Sequence, residues 1–266
     1  MVIRFILCLC FIISVFALPP NDSSGSEERD ASDYLGTIEN AEDSSRIFHG
    51  KKSNIKNHSY TLALLTKSKD LIGGAVLIKK NWAITAAWNV NKVKPSDLVI
   101  KSYSNNCLKN GHTSYVTKII VHDNYNGWES NVALLKIGKN KMKKEKTIEI
   151  GNSLPEEGSN VTIIGWGSED GEKKSDGIAR EGEAEFLSYG SCSAYYSPQE
   201  NFSNSSFCTK NSESFGPCYM DYGSPVVYDK YLVGLFSGSL SCSDPKYPAV
   251  HVDLTQYKDW VEKKTR

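Results

Sequence analysis

Apolar residues in this chain come in short runs that break at clusters of Gly, Asn, Ser and Lys. From residue 59 onward the runs fall at 60–65, 75–78, 82–87, 98–103, 115–121, 132–137, 161–164, 184–187, 225–228, 232–236 and 249–252. Each predicts a β-strand, and many short strands at this spacing predict an all-β sandwich or barrel. Only the end reads as helical: Thr255 is placed to cap a helix, and Tyr257, Trp260 and Val261 share one face. No internal repeat is visible, and the weakly charged stretch 151–155 is the natural seam between two halves of similar size.

The first residues follow another pattern. After Met-Val-Ile-Arg, an apolar run extends from Phe5 to Phe16, with Val15 and Ala17 suited to the −3 and −1 positions of a signal peptidase site. Residues 1–17 therefore read as a signal peptide and the protein as secreted. A membrane anchor needs about 20 apolar residues, whereas Pro19, Pro20 and polar residues follow at once, and no later stretch is long and apolar enough to span a bilayer. Residues 18–46 are rich in Ser, Asp, Glu and Gly and read as a flexible, acidic pro-segment, since they cannot bury enough surface to order themselves.

Composition adds a constraint on partners. Lys plus Arg equals Asp plus Glu at 31 each, which argues against a nucleic-acid binder. The balance conceals a split: residues 18–46 hold eight acidic residues against Arg29 and Arg46, a net of −6, while 47–266 nets +5. Secretion also gives the cysteines meaning, because disulfides persist in oxidising compartments. Cys8 and Cys10 leave with the signal, so Cys107, Cys192, Cys208, Cys218 and Cys242 remain, and their odd number leaves at least one without an intrachain partner. Asn-x-Ser/Thr sequons at Asn21, Asn57, Asn160, Asn201 and Asn204 fit a secreted glycoprotein.

Four segments, in this order and at these separations, carry a resemblance. They are Arg46-Ile47-Phe48-His49-Gly50, Trp82-Ala83-Ile84-Thr85-Ala86-Ala87-Trp88, Gly165-Trp166-Gly167, and Cys218-Tyr219-Met220-Asp221-Tyr222-Gly223-Ser224-Pro225. Together they resemble the chymotrypsin/trypsin-like serine proteases, and the tail from Leu232 through Trp260 extends the resemblance over 47–266. The fold it implies is two antiparallel six-stranded β-barrels with a C-terminal helix, the first barrel ending near 150 and the second starting near 155.

That family uses a nucleophilic Ser, a His as general base and an Asp that fixes the His tautomer. At the corresponding positions this chain has Tyr222, Trp88 and Asn131. Indole has no basic nitrogen to accept a proton, and a neutral amide replaces the orienting carboxylate. Losing the triad costs up to about 10⁶-fold in rate and leaves about 10³ to 10⁴ over water from the oxyanion hole and binding. Even that remnant is compromised, because Met220 stands where the resemblance implies Gly, and a side chain there disfavours the backbone conformation of the hole.

The resemblance also implies a specificity pocket with Gly216 at its base and Gly238, Ser239 and Ala249 in its walls. Gly216 brings no charge to select a basic side chain, while Ser239 and Ala249 narrow the slot and Tyr222 is positioned to lie across it. Arg46, Ile47 and Asp221 match the processing switch in which a new amino terminus pairs with a buried Asp. The readings that stay open are that cleavage at Arg46 reshapes loops for binding, that the residues are inherited without a present switch, or that the leader is never removed.

Two family disulfides correspond to Cys192–Cys208 and Cys218–Cys242, while Ile72 and Asn89 replace the cystine that staples the His loop. Cys107 is left over, either buried and unpaired or pairing between chains. Lys136, Lys139, Lys141, Lys143, Lys144 and Lys146 crowd one loop. Such a run is a solvated face or a docking site for an acidic protein or polyanionic glycan.

The combined expectation is a secreted pseudoprotease that acts by binding proteins. Its degenerate site is similar to that of the inactivated serine protease paralogues of parasitic mites, and this resemblance implies binding of host complement components and immune evasion. Alternatives are a non-catalytic cofactor of an arthropod melanisation cascade, a polyanion-binding protein and, last, a residual hydrolase. The reading includes no metal, no cofactor and no membrane contact.

Overall fold

A computed structural model describes residues 50–138, 142, 144–168, 174–196, 203–211, 215–242 and 244–266. The signal and pro-segment readings, His49, and the sequons at Asn21 and Asn201 lie outside them. The chain begins with β1 (Lys51–Lys52) and then forms β2 (Thr61–Thr66), β3 (Leu71–Lys79), β4 (Trp82–Thr85), β5 (Leu98–Ser102), β6 (His112–Val121) and β7 (Ala133–Ile137). The last six close into an antiparallel barrel in the order β2-β3-β4-β7-β6-β5.

A second barrel follows, from β8 (Asn160–Gly165), β9 (Arg180–Leu187), the short helix α1 (Tyr189–Ser193), β10 (Ser206–Thr209), β11 (Pro225–Tyr228), β12 (Tyr231–Gly238) and β13 (Ala249–Asp253). Its strands run β9-β10-β13-β12-β11-β8, β8 pairs back with β9 to close the ring, and β1 adds to the outside of β9. The chain ends in α2 (Lys258–Lys264).

Burial explains why several runs are apolar throughout instead of alternating. In β2, Leu62 and Leu64 point into the first barrel with Leu77, Leu98 and Ile100, while Ala63 and Leu65 on the opposite face pack on Ile164 and Trp166 of the second half. A strand covered on both faces needs apolar residues at every position. A further cluster joins Val76, Ile84 and Leu134 to Leu235, Val252 and Val261, so α2 is held by both barrels.

Three details depart from expectation. The strand expected at 82–87 stops at Thr85, and Ala87–Asn89 form a 3₁₀ turn that lifts Trp88 out of the sheet. Asp253, not Thr255, caps the final helical segment: its carboxylate accepts from the Thr255 amide at 3.0 Å and the Thr255 hydroxyl at 2.6 Å. β10 and α1 are additional elements. β10 is Ser-Phe-Cys-Thr, only half of it apolar, yet all four residues are buried.

The two expected disulfides are present. Cys192–Cys208 ties α1 to β10, and Cys218–Cys242 joins loops whose Cα atoms lie 4.8 Å apart. Each contributes roughly 3 kcal/mol by loop-closure arguments. Cys107 is free and fully buried beside Ile55 and Trp166, and burial pushes its thiol up to about 12. Among the described residues no helix is long and apolar enough to cross a membrane.

Candidate functional site

The 3₁₀ turn after β4 brings Trp88 to the start of β7. The Trp88 backbone amide donates to Asn131 Oδ1 at 2.8 Å, while the indole stands 63% exposed. Asn131 is buried, and its Nδ2 donates to Ser237 Oγ at 2.9 Å in β12. One side-chain amide thus spans both barrels with its acceptor and donor each engaged. Neither it nor the indole can take a proton from a hydroxyl at neutral pH.

Tyr222 sits in a tight elbow before β11. Met220 adopts φ +67° and Gly223 φ +81°, so the turn keeps a left-handed residue at Met220 despite its side chain. A side chain held in this left-handed conformation costs about 1–2 kcal/mol. The Tyr222 carbonyl accepts from the Gly74 amide at 2.8 Å and from Asn89 Nδ2 at 2.7 Å, and Asn89 Nδ2 also donates to Thr85 Oγ1 at 3.1 Å. Asn89 therefore joins the Trp88 turn to the Tyr222 elbow.

The Tyr222 ring is turned inward and stacks on Phe236 of β12, with centroids 5.5 Å apart and planes 20° from parallel. Burial raises the phenol above its ordinary value of 10.0, assisted by Tyr219 and Asp221, so it stays protonated at neutral pH. Ser224, two residues on, is fully buried and its hydroxyl has no partner. A Cβ added at Gly74 or Gly165 would lie 2.6 or 2.8 Å from that oxygen. The hydroxyl is sealed between two glycines and has no path to a substrate.

Asp221 is also fully buried. Its Oδ1 accepts from the Gly167 amide at 2.8 Å and its Oδ2 from the Cys218 amide at 3.1 Å. Burial pushes the carboxyl up to about 7, against the pull of these two amides and the Arg180 charge. Its expected switch partners Arg46 and Ile47 lie outside the described residues.

The pocket positions are laced together. Gly216 is buried, and an added Cβ would meet Cys242 O at 2.0 Å and Asn211 Oδ1 at 2.9 Å. Asn211, which no motif singles out, donates to Ser241 O at 3.1 Å and Tyr247 O at 2.9 Å. Ser239 Oγ donates to Ser241 O and lies 3.3 Å from Tyr247 O. Both segments that the resemblance assigns to the pocket walls are therefore bonded to each other and to the residue beside the base. Ala249 is fully buried, and a Cβ at Gly238 would touch the Trp128 ring at 3.4 Å, that ring being 54% exposed.

The described histidines are committed elsewhere. His58 pairs with Glu181 at 2.9 Å, His112 with Glu145 at 2.8 Å, and His122 packs on Tyr257 and Trp260. His251 Nε2 bonds Thr209 Oγ1 at 2.8 Å between the Phe207 and Phe236 rings, where burial lowers it to about 3. In the basic loop, Lys139, Lys141 and Lys143 lie outside the described residues. Lys144 Nζ sits 5.5 Å over the Tyr103 ring, and the Lys146 amide donates to Ser59 Oγ at 3.1 Å. Among the described residues no group of three His, Cys, Asp or Glu side chains is arranged to hold a metal ion.

Two closed six-stranded barrels with the Trp88, Asn131 and Tyr222 segments at their junction define a trypsin-like fold. The chain belongs to the trypsin family, whose model, Trypsin, matches residues 47–261. It is 26% identical to Trypsin Tyr p 3.0101 of Tyrophagus putrescentiae over 97% of this chain and 90% of that one. Among solved structures it superposes on the scabies mite inactivated protease paralogue S-D1 with a TM-score of 0.73 at 26% identity, over 81% of this chain and 96% of that one. Neuropsin of mouse brain matches with the same TM-score of 0.73 at 23% identity, covering 82% of this chain and 99% of the other, a likeness of fold alone.

Proposed function

We propose that this protein is a secreted, non-catalytic member of the trypsin family that acts by binding proteins, with host complement components as its targets. The observation that carries the non-catalytic reading is the Tyr222 ring, stacked on Phe236 and kept protonated, while the neighbouring Asp221 carboxyl is spent on the Gly167 and Cys218 amides. Asn131 supports it, since both ends of its amide are spent on structural bonds to Trp88 and Ser237.

Binding is supported by what the site exposes. Trp88 at 63% and Trp128 at 54% are large apolar groups in solvent, and residues of this kind anchor protein interfaces. The complement target rests on the similarity to the mite inactivated paralogues. The test is lysis of sensitised cells in serum, with the secreted protein added in increasing amounts. Dose-dependent protection, weakened by Trp88→Ala with Trp128→Ala, supports the proposal; unaltered lysis at every dose removes the complement target.

A further inference from the structure

An open groove of 660 Å³ is lined by Asn57, Tyr60, Lys146, Asp229, Lys230 and Tyr231 among others. It lies within the range of about 300–1,000 Å³ typical of small-ligand sites. Asn57 begins the sequon Asn57-His58-Ser59, and its side chain is exposed at the groove. The geometry points to Asn57 as an N-glycosylation site whose first sugar residues lie in this groove, an inference that rests on the secretory reading above.

Three features fit the occupant. Tyr60 and Tyr231, the latter 46% exposed, bring aromatic rings suited to the apolar faces of sugar rings. Lys146 and Lys230 are matched by Glu149 and Asp229, so the lining carries no net charge and suits a neutral saccharide better than a polyanion. Ser59, the third sequon residue, is 2% exposed and accepts from the Lys146 amide, which fixes the sequon in the groove wall once the chain has folded.

Transfer therefore precedes closure of this turn. The Asn57 amide nitrogen attacks the anomeric carbon of a lipid-pyrophosphate-linked oligosaccharide. The new C–N bond replaces the C–O bond to pyrophosphate, the lipid pyrophosphate leaves, and the amide nitrogen gives up one proton. No electron donor or acceptor takes part.

The test uses the full chain secreted from eukaryotic cells, with glycopeptide mass spectrometry at Asn57, Asn160 and Asn204. Asn160 and Asn204 are exposed and do not line this groove. Under native conditions a peptide-N-glycosidase should release the Asn57 glycan at least about tenfold more slowly than the glycan at Asn160 or Asn204, because release needs local opening. Tyr231→Ala should remove most of that protection without changing occupancy. An unmodified Asn57 beside a glycosylated Asn160 or Asn204, or equal release rates, overturns the inference alone. Absence of glycan at all three sites overturns it together with the secretory reading.

Discussion

The side-chain amide of Asn89 donates to the backbone carbonyl of Tyr222 at 2.7 Å, binding the turn that carries Trp88 to the elbow that carries Tyr222. The sequence marks Asn89 only as a missing half-cystine. In the fold it is a polar cross-link, reinforced by its contact with Thr85 and by Gly73, where an added Cβ would lie 2.4 Å from the Tyr222 carbonyl.

Removing that cross-link has a stability consequence. Asn89→Ala should cost about 1–2 kcal/mol, since the Tyr222 carbonyl keeps its bond from Gly74 but loses its second donor. At about 2–4 °C per kcal/mol for a domain of this size, a thermal melt should show a Tm several degrees lower. An unchanged Tm would mean that Asn89 contributes nothing.

Restoring the triad should not restore a protease. Trp88→His, Asn131→Asp and Tyr222→Ser together return the reacting groups, but Asn211 and Ser239 still bond the pocket walls to each other. We expect the triple variant to remain a poor peptidase on basic and apolar peptide substrates alike. Robust trypsin-like turnover would refute the idea that the cleft itself has been closed.

Two buried groups give opposite dependences on pH. His251 is lowered to about 3, so the folded chain holds it neutral where the unfolded chain, near 6.5, protonates it; its contribution is lost as pH falls from about 6.5 towards 3. Asp221 is raised to about 7 from 3.8, so the folded carboxyl stays protonated where the unfolded one ionises. Its contribution is full below about 4 and lost as pH rises towards 7. Between pH 4 and 6.5 the slopes oppose each other, each up to about 1.4 kcal/mol per pH unit. In the chain with its leader attached, urea melts should show stability falling with pH across this window in His251→Phe and rising in Asp221→Asn. A rising profile in His251→Phe would contradict the assignment of Asp221, and a falling one in Asp221→Asn that of His251.

The Cys107 thiol should be inert while the protein is folded. It is fully buried and raised to about 12, so almost none is thiolate at pH 8. A thiol reagent should label it only in denaturant, and the native protein should show no disulfide-linked dimer. Rapid native labelling would place Cys107 at the surface instead.

Much of this architecture is written in the apolar runs, because strands such as β2, β3 and β7 are covered on one or both faces and take apolar residues accordingly. β10 escapes that reading because Phe207 is its only large apolar side chain, the rest of the buried strand being Ser206, Cys208 and Thr209. Its Cys208 is spent on a disulfide and its Thr209 on the buried imidazole of His251. The site is legible where it rests on residue type: Trp88, Asn131 and Tyr222 stand out as the wrong chemistry for a familiar motif. Asn89 and Asn211 do not, because a neutral amide acts through the partners that folding brings to it, and those partners lie 133 and 30 or more residues away. The conformation of Met220 is hidden for a related reason: the left-handed turn is imposed by the elbow around it, not by its own preference.

The proposal that this protein does not hydrolyse peptide bonds is open to a direct assay. The most direct measurement is turnover of casein and a broad peptide library by the purified protein, before and after cleavage at Arg46, alongside labelling by a fluorophosphonate probe. A non-catalytic protein should give no turnover above buffer and no labelling in either form. Turnover or labelling that survives purification and disappears in Tyr222→Ala or Ser224→Ala would contradict the proposal.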